Sequence, residues 1–399
     1  MGPAAASMEH TSSARQGPWR LAVFYLLLFM SVGITLPFLP WYFSTLGLSA
    51  TQSGVLLAVG PTFALVAPPL WGQLSDRTGR PGAVLVVVSA GAAAGFGLLS
   101  AATAFGAVLL ALAVHSAFAS ATSTLIDTLT LQHVERRGGS YSAIRLWGSV
   151  GFVVSALAFG QRRVIDGSAV LMPLALMAAY AAWAAVMLAR APAHRPAGPR
   201  ATVAQAVALV SRGEVVLVLV ATALHWIACA PFNGTLPVHL KALGLSPATV
   251  SYCAAAGVLA EIAVMWSWPR WSHRLSAHSL LILSFLGSAL RWWGMSLTSS
   301  GPVLVALSLL HGLTFGAFFV AAVAWMASQA PGSLRATGQS LLVAGTFGVG
   351  GLVGYVLAGR AYDALGGHRL FAAAGALELA PAALLLAAGW RARARQAKA

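Results

Sequence analysis

The sequence predicts an all-α membrane protein of twelve transmembrane helices arranged as two pseudo-symmetric six-helix bundles. Hydrophobic residues make up 58% of the 399 and charged residues only 8%, which excludes a water-soluble globule. Apolar runs close to the ~20 residues that cross a bilayer core recur from Leu21 to the basic tail at Arg391. A polar stretch rich in proline and arginine, 191–212, divides those runs six and six.

In chain order the expected spans lie near 21–43, 50–73, 81–101, 105–131, 141–161, 169–189, 214–238, 247–268, 279–298, 302–327, 337–359 and 370–390. The implied organisation is an N-terminal tail (1–18), a first bundle (19–190), a linker (191–212), a second bundle (213–390) and a basic tail (391–399). The first eighteen residues are polar and Ala-rich, and the run from Leu21 is long enough to stay in the bilayer, so an anchor is expected rather than a cleaved leader. Cys229 and Cys253 both fall inside apolar segments, where a lone thiol behaves as a small hydrophobe; neither a disulfide framework nor a metal site is expected.

A formal net charge of +15 invites nucleic acid, but the helix map places the charge differently. Seventeen basic residues, among them Arg77, Arg80, Arg136, Arg137, Arg270, Arg335 and the terminal cluster, fall on one side. Five fall on the other: Arg162, Arg163, Lys241, Arg360 and Arg369. This asymmetry puts both termini and the linker in the cytoplasm, in an inner (plasma) membrane, and leaves nucleic acid without a role. Thirteen tryptophans follow the same logic, with Trp41 and Trp71 read as interfacial.

A repeat supports the division into halves. TLP at 35–37 followed by LGLS at 46–49 recurs as TLP at 235–237 followed by LGLS at 243–246, each at the outer end of the first helix of a half. In both copies glycine is placed to end one helix and serine to cap the next.

Between the second and third spans stands GQLSDRTGRP, 72–81, which resembles the G-x-L-x-D-R-x-G-R signature of the major facilitator superfamily. The resemblance implies transport by alternating access, with Gly72 allowing two helices to approach, Asp76 capping a helix of the opposite half, and Arg77, Gly79 and Arg80 completing a cytoplasmic gate. A carboxylate latch of this kind is sound electrostatics, since a helix N-terminus presents unsatisfied N–H groups and the positive end of its dipole.

Ionisable residues inside spans are expensive and mark function or pairing. Asp127 and Arg145 lie equally far either side of Arg136, so a hairpin brings them level as an expected ion pair. The string YSAIRLWGSVGF, 141–152, resembles the fifth helix of lactose permease, nucleoside-proton symporters and phenylpropionate permeases; Phe152 takes the place of the sugar-stacking tryptophan. Asp127, Arg145, Trp147 and Phe152 are therefore the candidate substrate-binding residues, with Arg145 suited to gripping a carboxylate. By the same depth counting, Glu261, Arg291 and His311 come level on the eighth, ninth and tenth spans as a candidate proton-coupling group. A structural Glu261–Arg291 salt bridge is the plainer alternative. ALRWWG (289–294) and LHGLTFGAF (310–318) resemble the same permease branch, although Thr314 replaces its tenth-helix carboxylate, which leaves the proton to Glu261. His225 reads as packing, and Glu378 is given no role.

Together these imply a proton-coupled symporter of a small organic solute, such as an aromatic or other monocarboxylate, with the proton as coupling ion, no cofactor, and a monomer in the lipid bilayer. The alternatives are a proton-driven exporter, whose fifth-helix proline-glycine signature is missing from LWGSVGFVVSALAFG, and an uncoupled uniporter or non-transporting sensor. No phosphate loop, metal-spaced His/Cys cluster or nucleophile elbow suggests an enzyme.

Overall fold

The computed structural model describes residues 17–188, 203–271, 274–330 and 334–396; the outer parts of both expected tails and most of the linker, 189–202, lie outside the described residues. Among the described residues every regular element is helical. The first half comprises α1 (Trp19–Thr45), α2 (Ala50–Thr78), α3 (Pro81–Leu98), α4 (Phe105–Arg137), α5 (Tyr141–Gly160) and α6 (Ser168–Leu188). After a short helix α7 (Val203–Val210) come α8 (Gly213–Ala242), α9 (Pro247–Trp271), α10 (Ala277–Ser296), α11 (Gly301–Gln329), α12 (335–365) and α13 (367–396). The last two are continuous apart from Gly366, whose φ of 75° breaks the helix between them.

Among the described residues, ten segments are long and apolar enough to cross a membrane. One of these, Thr337–Ala388, is the α12–α13 pair, and α10 is of spanning length but more polar, carrying four serines, His278 and Arg291. The twelve expected spans are thus present, with α4 running to Arg137, beyond its expected end.

The two LGLS copies fold alike. Gly47 and Gly244 sit at φ 77° and 72°, where glycine escapes the penalty a Cβ brings. Leu48 N–H donates to Phe43 O at 3.2 Å and Leu245 N–H to Leu240 O at 3.0 Å, the same helix-ending turn in each half. Ser49 then closes a capping box with Gln52 at the start of α2. Within the first half α1 packs on α5 and α6 and α3 on α4 and α6; within the second α8 and α10 pack on α12–α13. The halves meet along α2 against α12 and α5 against α9.

That meeting is closest at the end of the molecule holding residues 45–50, the far end. A Cβ on Gly359 would stand 2.3 Å from Ala50 O, and one on Gly54 2.3 Å from Tyr355 O, so the α2 and α12 backbones touch. Asp363, at the end of α12, accepts hydrogen bonds from Ala50 N–H (3.1 Å) and Thr51 N–H (2.8 Å) and so caps α2 across the bundle boundary. Lys241 donates to Ser44 at 2.8 Å beside it. At the opposite, motif end, Gly79 adopts the left-handed conformation (φ 63°) that ends α2, and Arg77 and Arg80 are exposed. Asp76 is half-buried and engaged rather than free. Gly72 corrects one expectation: nothing lies within 4 Å of where its Cβ would be, so the close helix approach assigned to it is not made in this conformation. Trp41, near the end of α1, is 7% exposed and packed inside the bundle.

Candidate solute-binding site

A cavity of about 700 Å³ lies between the two bundles, walled by α1 and α5 on one side and α8, α9 and α11 on the other. Its aromatic lining includes Phe29, Phe152, Trp226, Phe232, Phe315 and Tyr355. Four ionisable groups of the candidate set reach it: Asp127, Arg145, Glu261 and His311.

The first bundle's contribution is a tyrosine-held carboxylate and a stacked guanidinium. Tyr25 and Tyr141 both donate to Asp127 Oδ1, at 2.5 and 3.0 Å. The expected Asp127–Arg145 ion pair is not formed. Arg145 instead lies over the rings of Phe29 and Tyr25, its Cζ 4.1 and 5.3 Å from their centroids. Gly148 makes this possible, because a Cβ there would stand 2.6 Å from Arg145 Nη1. Phe152 is in the wall and 8% exposed. Trp147 is not: two positions on from Arg145, it points out of the bundle and is 49% exposed, which removes it from the cavity set. An α-helix turns about 100° per residue, so adjacency in sequence placed it on the wrong face.

In the second bundle the expected trio divides. Arg291, 1% exposed, donates to Thr314 Oγ1 at 3.0 Å and contacts His311 Nδ1 at 3.1 Å, with its Cζ 4.0 Å from the Phe232 ring centroid. Its Nε and Nη2 have no hydrogen-bond partner. No ion pair joins it to Glu261, which corrects the structural salt bridge, while the expected meeting of Arg291 with His311 is made. Glu261 faces the cavity, whose lining on the other bundle includes Arg145.

Among the described residues, three π-helical turns, Pro231–Thr235, Gly312–Ala317 and Ala344–Val349, interrupt α8, α11 and α12. The first two deliver Phe232, Asn233 and Phe315 to the cavity. Such turns widen a helix by one residue and recur at functional sites.

Behind this wall lies a group the sequence did not bring forward. His225 and Glu378 are both wholly buried, with His225 Nδ1 2.9 Å from each carboxylate oxygen. His225 Nε2 lies 3.0 Å from Thr314 O, and Trp292 Nε1 donates to Glu378 Oε1 at 3.3 Å. Cys229 Sγ is 3.7 Å from His225 Nε2. His225, Cys229 and Glu378 have the residue types of a metal site. Their ligand atoms lie within 4.8 Å of one another, but the 2.9 Å contacts between His225 Nδ1 and the Glu378 oxygens are those of a hydrogen-bonded pair. The available signal was Glu378 itself, an acid in mid-span.

The sequence pattern of the MFS_1 like family matches residues 18–373. The chain belongs to that family. Among its relatives, the maltose permease of Geobacillus stearothermophilus is 30% identical over 336 residues, covering 82% of this chain and 83% of that one. The "Probable 3-phenylpropionic acid transporter" of Escherichia coli (strain K12) is 28% identical, covering 88% and 92%. A mutant form of the nucleoside transporter NupG superposes with a TM-score of 0.84 at 17% identity, over 93% of this chain and 99% of the other. The MFS_1-like chain is therefore a multi-pass transporter of the major facilitator fold and not an enzyme.

Proposed function

We propose that this MFS_1-like protein is a proton-coupled symporter of a small organic anion with an aromatic or otherwise apolar body. The observation that carries this is the opposition of Arg145 and Glu261 across one aromatic-walled cavity, each from a different bundle. A solute carboxylate competes with Glu261 for Arg145, while its apolar body lies against Phe152, Phe29 and Trp226. A carboxylate deprived of its cation in a dry site neutralises by taking a proton. Solute and proton then bind together and leave together, and Arg291 and His311 add the polar flank on which Glu261 exchanges its proton. Asp127, held by two tyrosines, orients the wall beside Arg145.

The names of the relatives divide between maltose and 3-phenylpropionic acid; the cavity's aromatic lining and arginine favour the acid. The charge asymmetry supports an inner-membrane protein with cytoplasmic termini; a monomer of two bundles, 19–190 and 213–390, with a cytoplasmic gate at Gly72, Asp76, Arg77, Gly79 and Arg80 completes the reading.

The test is proton movement in proteoliposomes of the purified protein, with gradients of 3-phenylpropionate, maltose and uridine, for wild type and Glu261→Gln. Solute-driven alkalinisation of the outside, lost in the variant, is the expected result. Accumulation without proton movement would replace symport by facilitated diffusion, and proton movement against the solute would make the protein an exporter.

A further inference from the structure

We propose that the buried His225–Glu378 pair is a second proton-binding site, distinct from Glu261, which loads and unloads one proton in each transport cycle. The proposal rests on the symport reading above and adds to it a site between α8 and α13, away from the solute.

The hydrogen bonds determine how many protons the pair holds. Thr314 O is a carbonyl and can only accept, so Nε2, 3.0 Å from it, carries a hydrogen. A bare Nδ1 facing an ionised carboxylate would set acceptor against acceptor at 2.9 Å. One proton therefore lies between Nδ1 and Glu378, whether the pair is written as imidazolium and carboxylate or as imidazole and carboxylic acid. Either way it is neutral overall, which suits a site with both side chains at 0% exposure. The rings of Phe285 and Phe318, with centroids 5.1 and 4.3 Å from that of His225, shut water away.

The lock on this proton is the Thr314 carbonyl, and it belongs to a part of the protein that can respond to solute. Thr314 lies in the π-turn Gly312–Ala317, which also carries Phe315 in the cavity wall; His311 immediately precedes it. When that turn moves and withdraws Thr314 O, Nε2 no longer needs its hydrogen. The imidazole can then release that proton to the cavity and keep Nδ1–H on the Glu378 carboxylate. The pair passes from neutral to one negative charge, one proton leaves, and no bond between heavy atoms changes.

The titratable and charged groups around the pair fit this role. Cys229 on α8 faces Nε2 at 3.7 Å. Arg291 on α10 and His311 on α11 meet at the other side of Thr314, through its Oγ1. Arg291 is there a buried cation with two nitrogens, Nε and Nη2, unpartnered. From α10, Trp292 donates its indole N–H to Glu378, holding the carboxylate in place in both states.

Two measurements test the site. Infrared difference spectra between acid and alkaline pH, taken on purified wild type, Glu378→Gln, His225→Asn and Glu261→Gln without solute, read the pair directly. A Glu378 band, carboxyl or carboxylate, should be lost in Glu378→Gln, shifted in His225→Asn and kept in Glu261→Gln; a spectrum unchanged by Glu378→Gln overturns the proposal. In proteoliposomes driven by 3-phenylpropionate, Glu378→Gln should lower the proton-to-solute ratio by one. Exchange of labelled solute, which needs no net proton release, should persist.

An unchanged ratio overturns the site and leaves the symport reading standing. Loss of exchange in Glu378→Gln and His225→Asn alike makes the pair structural and also overturns it. A wild type that moves solute without protons sinks the symport reading and this site's part in transport together.

Discussion

Replacing Asp363 with alanine should loosen the far end of the molecule without unfolding it. Asp363 joins the bundles by accepting from Ala50 and Thr51 N–H at the first turn of α2. Deleting a side-chain cap costs about 0.5–2 kcal/mol, and the lost charge at a helix N-terminus adds about 0.3–1 kcal/mol. Asp363 is exposed, so solvent screening keeps the sum near its lower end, about 1 kcal/mol. The contact exists only while the far end is closed, so this energy acts on the equilibrium between conformations. About 1 kcal/mol shifts such an equilibrium roughly fivefold toward the far-end-open form.

The assay is a spin-label distance distribution between Gln161→Cys and Tyr252→Cys, whose native side chains meet at 3.4 Å across the bundles at that end. The native cysteines are both buried and should not label. A long-distance population should grow in Asp363→Ala and grow less in Asp363→Asn, which retains one acceptor. Identical distributions in wild type and Asp363→Ala would refute the latch.

Other expectations follow from the cavity. Gly148→Val should displace the Arg145 guanidinium from Phe29 and lower the apparent affinity for 3-phenylpropionate by roughly tenfold or more, the equivalent of about 1.4 kcal/mol, as read by isotope uptake. Trp147→Ala, on the outer face, should leave uptake kinetics unchanged; a fall in affinity would return Trp147 to the site. Tyr25→Phe combined with Tyr141→Phe strips Asp127 of both donors, at about 1–3 kcal/mol, and should lower the melting temperature and weaken uptake together. Trp226→Phe should abolish any solute-induced quenching of tryptophan fluorescence; persistent quenching would place the solute elsewhere.

The fold was legible because the bilayer imposes it. Spans must be apolar, long and helical, so hydropathy alone located twelve of them, and the glycines and serines of the two LGLS copies announced turns that the structure repeats to within 5° in φ at Gly47 and Gly244. Site composition was partly legible for a related reason: a charge within a span is rare enough that Asp127, Arg145, Glu261, Arg291 and His311 all drew attention.

Pairing was not legible. Depth counting along hairpins brings residues to the same level but says nothing about azimuth, and a helix face is decided by its neighbours. Hence Asp127 is held by Tyr25, from a helix 102 residues away in sequence, while Arg145 and Glu261 line the same cavity from different bundles. Trp147 shows the same limit from the outside. The superfamily pattern suggested a latch only at Asp76; the cap that Asp363 provides needed α2 and α12 to be seen end to end.

By itself, then, the sequence determined the solvent, the number of crossings, the bundle symmetry and which side chains are too costly to be idle, because each of these depends on local composition and period. Tertiary structure alone decided that Glu261 and Arg145 line one cavity, that Arg291 turns to Thr314, and that His225 and Glu378, 153 residues apart, meet at 2.9 Å. Those contacts depend on how helices distant in the chain rotate against one another, which side-chain packing settles and no single segment encodes.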